Sequence, residues 1–289
     1  MTLPRSASGA SPPGGRRQRP GTAGSAAAAG WRLLVLVLLC GASLQLYFVG
    51  RIALMAVVAP QSTTFQRSEI WRLLVEKQQV AWAQDWVDAE RISPNLKRAV
   101  IASEDAGFID HGGIEWDALE QAWEKNQRAE AAAERRNLQL QAQLQAQQQK
   151  RPPPKAAAAP AKPKVEPKLV GGSTISQQLA KNLFLSGERT VLRKAQEFML
   201  TLTLETLLSK QRILEIYLNN VEWGEGVFGA QAAARYYFRT DAARLDASRA
   251  ARLAVMLPAP KRFEKNPGSA YLASRAGTVA ARMGDVALP

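Results

Sequence analysis

Cysteine and histidine are almost missing from this chain of 289 residues, which holds one of each, Cys40 and His111. A lone cysteine excludes an intramolecular disulfide and any thiolate-built zinc or iron–sulfur centre, and it leaves the redox compartment open. A lone histidine excludes a multi-histidine metal site and leaves Ser/His or Cys/His chemistry to His111 alone. Acidic residues are also short, 25 Asp and Glu against 38 Lys and Arg, for a net charge of +13. That balance predicts attraction to phosphate-bearing substrates, anionic lipid surfaces or nucleic acid. Strand-like alternation is nearly absent, so the fold class expected is mainly α.

One long apolar run is present, LLVLVLLCGASLQLYFVG from Leu33 to Gly50, bounded by Arg32 and Arg51. About 18 uncharged residues are close to the minimum for a bilayer-crossing helix. Arg5, Arg16, Arg17 and Arg19 precede it with no acid, so the positive-inside rule predicts a cytoplasmic N-terminus and an external remainder. A cleaved signal peptide is the rival, with a shorter apolar region. Residues 1–30 read as a disordered basic cytoplasmic tail and 31–50 as the transmembrane helix. Residues 51–126 and 170–289 read as the folded domain, and 127–169 as a low-complexity Ala/Gln/Pro insertion. Helices are predicted over Ile70–Trp86, Leu96–Ser103, Trp116–Asn126, Thr174–Phe184, Val191–Leu208, Gln211–Asn219, Val227–Tyr237 and Ser248–Met256.

The segment AVIASEDAGFIDHGGIEWD, Ala99 to Asp117, delivers Glu104 and Asp105 at the end of an apolar helical run, ahead of a glycine-containing loop with His111. A carboxyl at the mouth of such a helix is partly desolvated, which raises its pKa toward the range of a general base; two ordinary surface acids are the plainer reading. In GGSTISQQLAKNLFLSGER, Gly171 to Arg189, paired glycines precede a Ser/Thr helix start, as in a phosphate-binding helix N-terminus. Thr174, Gln178 and Lys181 fall at i, i+4 and i+7 and predict a polar stripe ending in a cation, with Asn182 beside it; a solvated face is the alternative. Arg193 and Lys194 lie within reach of Glu197 on a helix surface. They read either as an exposed ion cluster of little energetic weight or, facing a cleft, as a cationic site for pyrophosphate. ILEIYLNNVEWGEGVFGAQAAARYYF runs from an apolar-faced helix into Asn219, Asn220 and the glycines Gly224, Gly226 and Gly229, which read as a tight chain reversal.

Taken in order, EDAGFIDHG at Glu104–Gly112, GGSTISQQLAKNLF at Gly171–Phe184, RKAQE at Arg193–Glu197, RILEIYLNNVEWGEGVFG at Arg212–Gly229 and LAVMLPAP at Leu253–Pro260 resemble the family 51 glycosyltransferases. The likeness is nearest to the monofunctional biosynthetic peptidoglycan transglycosylases. It implies a lysozyme-like helical glycosyltransferase domain with a small membrane-embedded lobe, held at the bacterial inner membrane with its catalytic domain in the periplasm. It implies lipid II, a disaccharide-pentapeptide on undecaprenyl pyrophosphate, as substrate, together with a lipid-linked glycan strand. By this resemblance Glu104 is the general base for the 4-hydroxyl of the acceptor N-acetylglucosamine, which attacks the donor N-acetylmuramic acid and expels undecaprenyl pyrophosphate with inversion. Lys181, Arg189, Arg193 and Lys194 would hold the pyrophosphate, Glu197 would organise that site as the second acid, and Thr174, Gln177, Gln178 and Asn182 would line it. No metal ligands are fixed, and the one cofactor candidate is a divalent cation, magnesium or manganese, at the pyrophosphate. The membrane and other cell-wall synthesis or division proteins are expected partners; nucleic acid is not.

Three departures from the family pattern stand out: Glu115 where an Asp is usual, Arg249 where a Glu would complete a capping box, and the 127–169 insertion. Two rival readings remain, a lysozyme-like lytic glycosidase and a non-catalytic membrane scaffold of wall synthesis. The cation cluster separates the first from a transferase, because a hydrolase of neutral sugar links has no need of it.

Overall fold

The computed structural model describes residues 22–149, 172–188 and 190–289, and the chain divides into two compact units, Met1–Phe48 and Val49–Pro289. Most of the expected tail, the Pro/Ala/Lys half of the expected insertion, and Arg189 lie outside the described residues. Helix α1 (Thr22–Leu54) starts inside the stretch read as disordered tail, because the run Ala26–Ala29 favours helix and extends the apolar segment backwards. Within it Ala28–Leu54, with mean hydropathy 2.2, is the one helix among the described residues long and apolar enough to cross a membrane. Its rise of about 40 Å exceeds the ~30 Å hydrocarbon core.

In the second unit, α2 (Thr64–Lys77) opens on a capping box in which Thr63 and Gln66 exchange side-chain and backbone hydrogen bonds. It stops where Gln78 turns left-handed, φ 53°. The helix expected over Ile70–Trp86 is therefore displaced. Trp82 and Trp86 keep an i, i+4 spacing, but Ala83–Gln84 form strand β1, and Trp82 instead packs on Phe228 with ring centroids 4.7 Å apart. Next come α3 (Pro94–Glu104), α4 (Trp116–Gln149), α5 (Ile175–Phe184), α6 (Val191–Leu207) and α7 (Lys210–Asn220). The hairpin strands β2 (Glu222–Gly224) and β3 (Val227–Phe228) follow, then α8 (Ala230–Phe238), α9 (Ala247–Met256), α10 (Pro260–Phe263) and α11 (Ala270–Arg282). Each of α3, α5, α6, α7, α9 and α11 starts on a Ser, Thr or Asp whose side chain accepts a first-turn N–H, satisfying one of the donors a helix start leaves open. At α9, Asp246 supplies this cap alone, and Arg249, in place of the usual Glu, folds back onto the Asp246 carboxylate at 3.4 Å.

Two apolar layers result. Leu96, Val100 and Ile101 of α3 are buried with Ala250, Leu253 and Ala254 of α9 and Leu272 and Val279 of α11. Ile175 and Leu179 of α5 are buried with Leu200 and Leu204 of α6 and Ile213 and Tyr217 of α7. The three short strands form a sheet in the order β1-β3-β2, with β1 parallel to β3 and β2 antiparallel to it. Val227 and Phe228, expected as the start of a helix, are thus strand, and the helix waits for Ala230. Glycine makes the reversal feasible, as read from the sequence: Gly226 has φ +74°, and a Cβ there would lie 2.1 Å from the Ala81 carbonyl oxygen.

Gly226→Ala is expected to destabilise the second unit by about 3 kcal/mol or more, through the left-handed backbone and the forced overlap. Thermal melting measures this, and an unchanged midpoint would contradict the hairpin geometry.

Candidate active site

Asp105 ends α3: its N–H donates to the Ile101 carbonyl at 2.9 Å and its side chain is wholly buried. One carboxylate oxygen accepts the N–H of Ile175, the first residue of α5, at 2.9 Å. The other pairs with Nε2 of His111 at 2.8 Å. The Gly113 N–H donates to Nδ1 of that ring at 3.1 Å, and the Gly113 carbonyl accepts the Thr174 hydroxyl at 2.6 Å. From the other side Lys210 donates to the His111 carbonyl at 2.6 Å and to Glu205 at 2.9 Å. Its ammonium also stands 4.5 Å over the Phe108 ring. Gly113, φ +88°, leaves no room for a Cβ, which would meet Glu205 and Thr201 at 2.7 and 2.8 Å. The loop between α3 and α4 is thereby fastened to α5, α6 and α7.

This fastening puts Glu104 against Gln178. The Gln178 amide nitrogen donates to Oε2 of Glu104 at 2.9 Å, and its amide oxygen accepts the hydroxyl of Tyr217 at 2.9 Å. Burial pushes the Glu104 carboxyl above its usual range; the Gln178 hydrogen bond opposes this and the charge of Asp105 adds to it. Glu104 makes no ion pair among the described residues.

The N-terminus of α5 does not match the expected phosphate cradle. Asp105 already occupies it, an internal anion at the positive end of the helix dipole. Thr174 and Gln177, expected to line a donor site, are buried and form a capping box: the Thr174 hydroxyl accepts the Gln177 N–H and the Gln177 side-chain oxygen accepts the Thr174 N–H. The pattern Thr174-x-x-Gln177 is itself the sequence signature of that box. Of the expected polar stripe, Gln178 reaches Glu104 and Lys181 stands exposed one turn further on, with Asn182 half-buried beside it.

The cations gather at that end. Glu197 of α6 is 3% exposed, with Arg193 on one oxygen at 2.9 Å and Lys194 on the other. Desolvation lowers the Lys181 ammonium below its ordinary pKa; Glu197 opposes this, while Arg193 and Lys194 reinforce it. Arg193 Nε is buried and has no hydrogen-bond partner among the described residues. The structure thus brings Lys181, Arg193, Lys194 and Glu197 together, and Arg189 lies outside the described residues.

Two side-chain clusters are candidates for holding a divalent cation. Asp105, His111 and Glu115 place ligand atoms within 4.8 Å of one another. Nδ1 of His111 accepts the Gly113 N–H, so Nε2 holds the ring proton and gives it to Asp105. A metal on Nε2 would need an imidazolate, whereas ligating histidines donate through their second nitrogen. Glu197 has both oxygens taken by cations. Neither set fits a resident divalent cation.

Sequence reading had passed over Tyr217, Lys210 and Glu205. Tyr217 looked like one more apolar position of α7, and Lys210 and Glu205 are ordinary charges until the fold brings the loop between them.

This mainly helical fold, with one carboxyl free of ion pairs among the described residues and a second held by cations, is that of a glycosyltransferase domain. Residues 72–136 and 155–284 match the transglycosylase family model. The chain is 47% identical over 245 residues to the biosynthetic peptidoglycan transglycosylase of Paraburkholderia phytofirmans, covering 85% of this chain and 87% of that protein. Identity to the protein of the same name from Burkholderia thailandensis is 48% over 245 residues, covering 85% and 82%. The chain belongs to the biosynthetic peptidoglycan transglycosylase family, and its fold is that family's lysozyme-like one.

Glu197→Ala is expected to cost about 2–3 kcal/mol, less than for a fully buried pair because Lys194 stays half-exposed. Calorimetry checks this, and a stability loss within error would show that the cations do not depend on Glu197.

Proposed function

We propose that the chain polymerises lipid II into β-1,4-linked glycan strands with release of undecaprenyl pyrophosphate, and that Glu104 is the general base. The observation that carries this reading is the contrast between the two acids. Glu104 is half-buried, without an ion pair, and holds its proton more tightly than a free carboxyl. Glu197 is neutralised on both oxygens. The first suits proton acceptance near neutral pH; the second keeps cations in place.

Glu104 takes the proton of the acceptor hydroxyl as that oxygen attacks the donor anomeric carbon. Electrons of the breaking glycosyl–phosphate bond leave with the pyrophosphate, whose charge Lys181, Arg193 and Lys194, with Arg189, stabilise. An arriving anion favours the charged form of Lys181, which its surroundings disfavour. Base catalysis is worth roughly 10²–10⁴-fold, so positioning and leaving-group stabilisation supply the rest. A lytic glycosidase needs a second working carboxyl, and Glu197 is instead held as the counter-ion of Arg193 and Lys194.

Helix α1 serves in this reading as the inner-membrane anchor, with a cytoplasmic N-terminus and a periplasmic catalytic domain. The exposed Val191, Leu192, Met199 and Leu202 of α6 supply an apolar surface for the lipid-bearing substrate beside the cations.

Purified protein with labelled lipid II tests the proposal. Glu104→Gln is expected to lower kcat by roughly 10²–10⁴-fold with unchanged melting. The wild-type rate should fall as pH drops through the raised pKa of Glu104, because a protonated carboxyl accepts nothing. Lys181→Ala is expected to raise KM for the donor more than for the acceptor. Polymer formed at the ordinary rate by Glu104→Gln, or cleaved glycan as product, would overturn the reading.

A further inference from the structure

Tyr217 is 1% exposed, and its hydroxyl donates to the amide oxygen of Gln178, whose nitrogen donates to Glu104. A primary amide has two orientations that exchange its donor and acceptor ends. Were the Gln178 amide reversed, its oxygen would face the Glu104 carboxylate and its nitrogen the Tyr217 oxygen. Oxygen would meet oxygen at Glu104, and although the Tyr217 oxygen can accept the amide N–H, the Tyr217 proton would be left buried without its one acceptor among the described residues. A buried donor without a partner is costly, so the tyrosine proton selects one orientation, beside the weaker 3.4 Å donation of the same amide nitrogen to the Ser173 carbonyl. Resting on the reading of Glu104 as base, the geometry points to Tyr217 as a positioning residue that locks the Gln178 amide with its N–H toward Glu104 and so holds the base in its proton-accepting form.

The groups facing Glu104 from each neighbouring element fit this role. From α3 and its loop come Asp105 and its partner His111, and Asp105 disfavours the charge of Glu104. From α5 come Gln178 and, a turn on, Lys181; Arg193, Lys194 and Glu197 of α6 act on Lys181. From α7 comes Tyr217 alone, and it is kept neutral by its burial. Gln178 is the one hydrogen-bond donor to Glu104 among the described residues, so its orientation decides whether burial and Asp105 go unopposed.

The test is the pH profile of kcat for Tyr217→Phe, Gln178→Leu and the double variant, each checked by thermal melting, on the full chain in detergent with lipid II. Tyr217→Phe is expected to move the acid limb up by about half to one pH unit, leaving kcat on the alkaline plateau within about twofold. The double variant is expected to move the limb no further than Gln178→Leu alone, because the two act through one contact. A uniform loss of kcat at every pH, or additive shifts, would overturn the lock. Infrared titration of the Glu104 carboxyl in substrate-free wild type and Tyr217→Phe, with Glu104→Gln as the subtraction, separates this from the base assignment. A shifted carboxyl pKa in Tyr217→Phe, even with an active Glu104→Gln, would sustain the lock and sink the base reading. An unshifted one beside a dead Glu104→Gln would do the reverse.

Discussion

Asp105 receives the first N–H of α5 on one oxygen and the His111 ring on the other, from the position that ends α3. A buried carboxylate is costly unless fully hydrogen-bonded, and here the positive end of α5 stabilises it as an anion. The contact ties two helices and the intervening loop at one point. Glu104 is the preceding residue of the chain, and Gln178 lies one turn into α5. Their meeting is a consequence of the Asp105 contact. The rest of the loop follows the same anchor: Gly113 bonds to the ring that Asp105 holds and to the residue that caps α5.

From that point α5 acts as a ruler. Gln178 and Lys181 are three residues apart, a rise of about 4.5 Å on one helix face. The partner of the buried carboxyl and the first cation are thus fixed relative to each other by backbone geometry. A transfer reaction gains most from such fixed placement, since reacting groups must be held within about an ångström. The two carboxyls show opposite solutions to burial. Glu197 is compensated by Arg193 and Lys194, while Glu104 is left with a single neutral donor.

Much of this was legible in the sequence, and the reasons differ by element. Helices α3, α5, α6, α7 and α9 announced themselves because a capping Ser, Thr or Asp stands directly before each apolar period. The end of α2 did not, because Gln78 takes the left-handed cap that sequence rules assign to glycine or asparagine. Strands β1 and β3 pair Ala83 with Val227 across most of the domain, a contact no local window contains. In the site, Glu104, Lys181, Arg193, Lys194 and Glu197 were visible as ionisable groups in ordered motifs. Thr174 was read as a stripe residue at a Ser/Thr helix start, and Gln177 entered only through the resemblance; the capping box engages both side chains at the start of α5. Tyr217 was invisible for a simpler reason: its ring follows the apolar period of α7, and nothing local reveals where its hydroxyl points.

The helix dipoles give the cation cluster its character. With Asp105 filling the N-terminus of α5, an incoming anion finds no free backbone cradle there and must rely on side chains. Arg193 and Lys194 stand in the first turns of α6, which has no acidic residue at its start. Cations in that position oppose the dipole, at a cost of roughly 0.3–1 kcal/mol each. Glu197 offsets part of that cost, and in the proposed reaction the donor pyrophosphate would offset more of it. A site of this kind binds through charges that salt screens. Under the proposed reaction, departure of the leaving group would return the cations to that opposed position, which would limit how tightly the product is held.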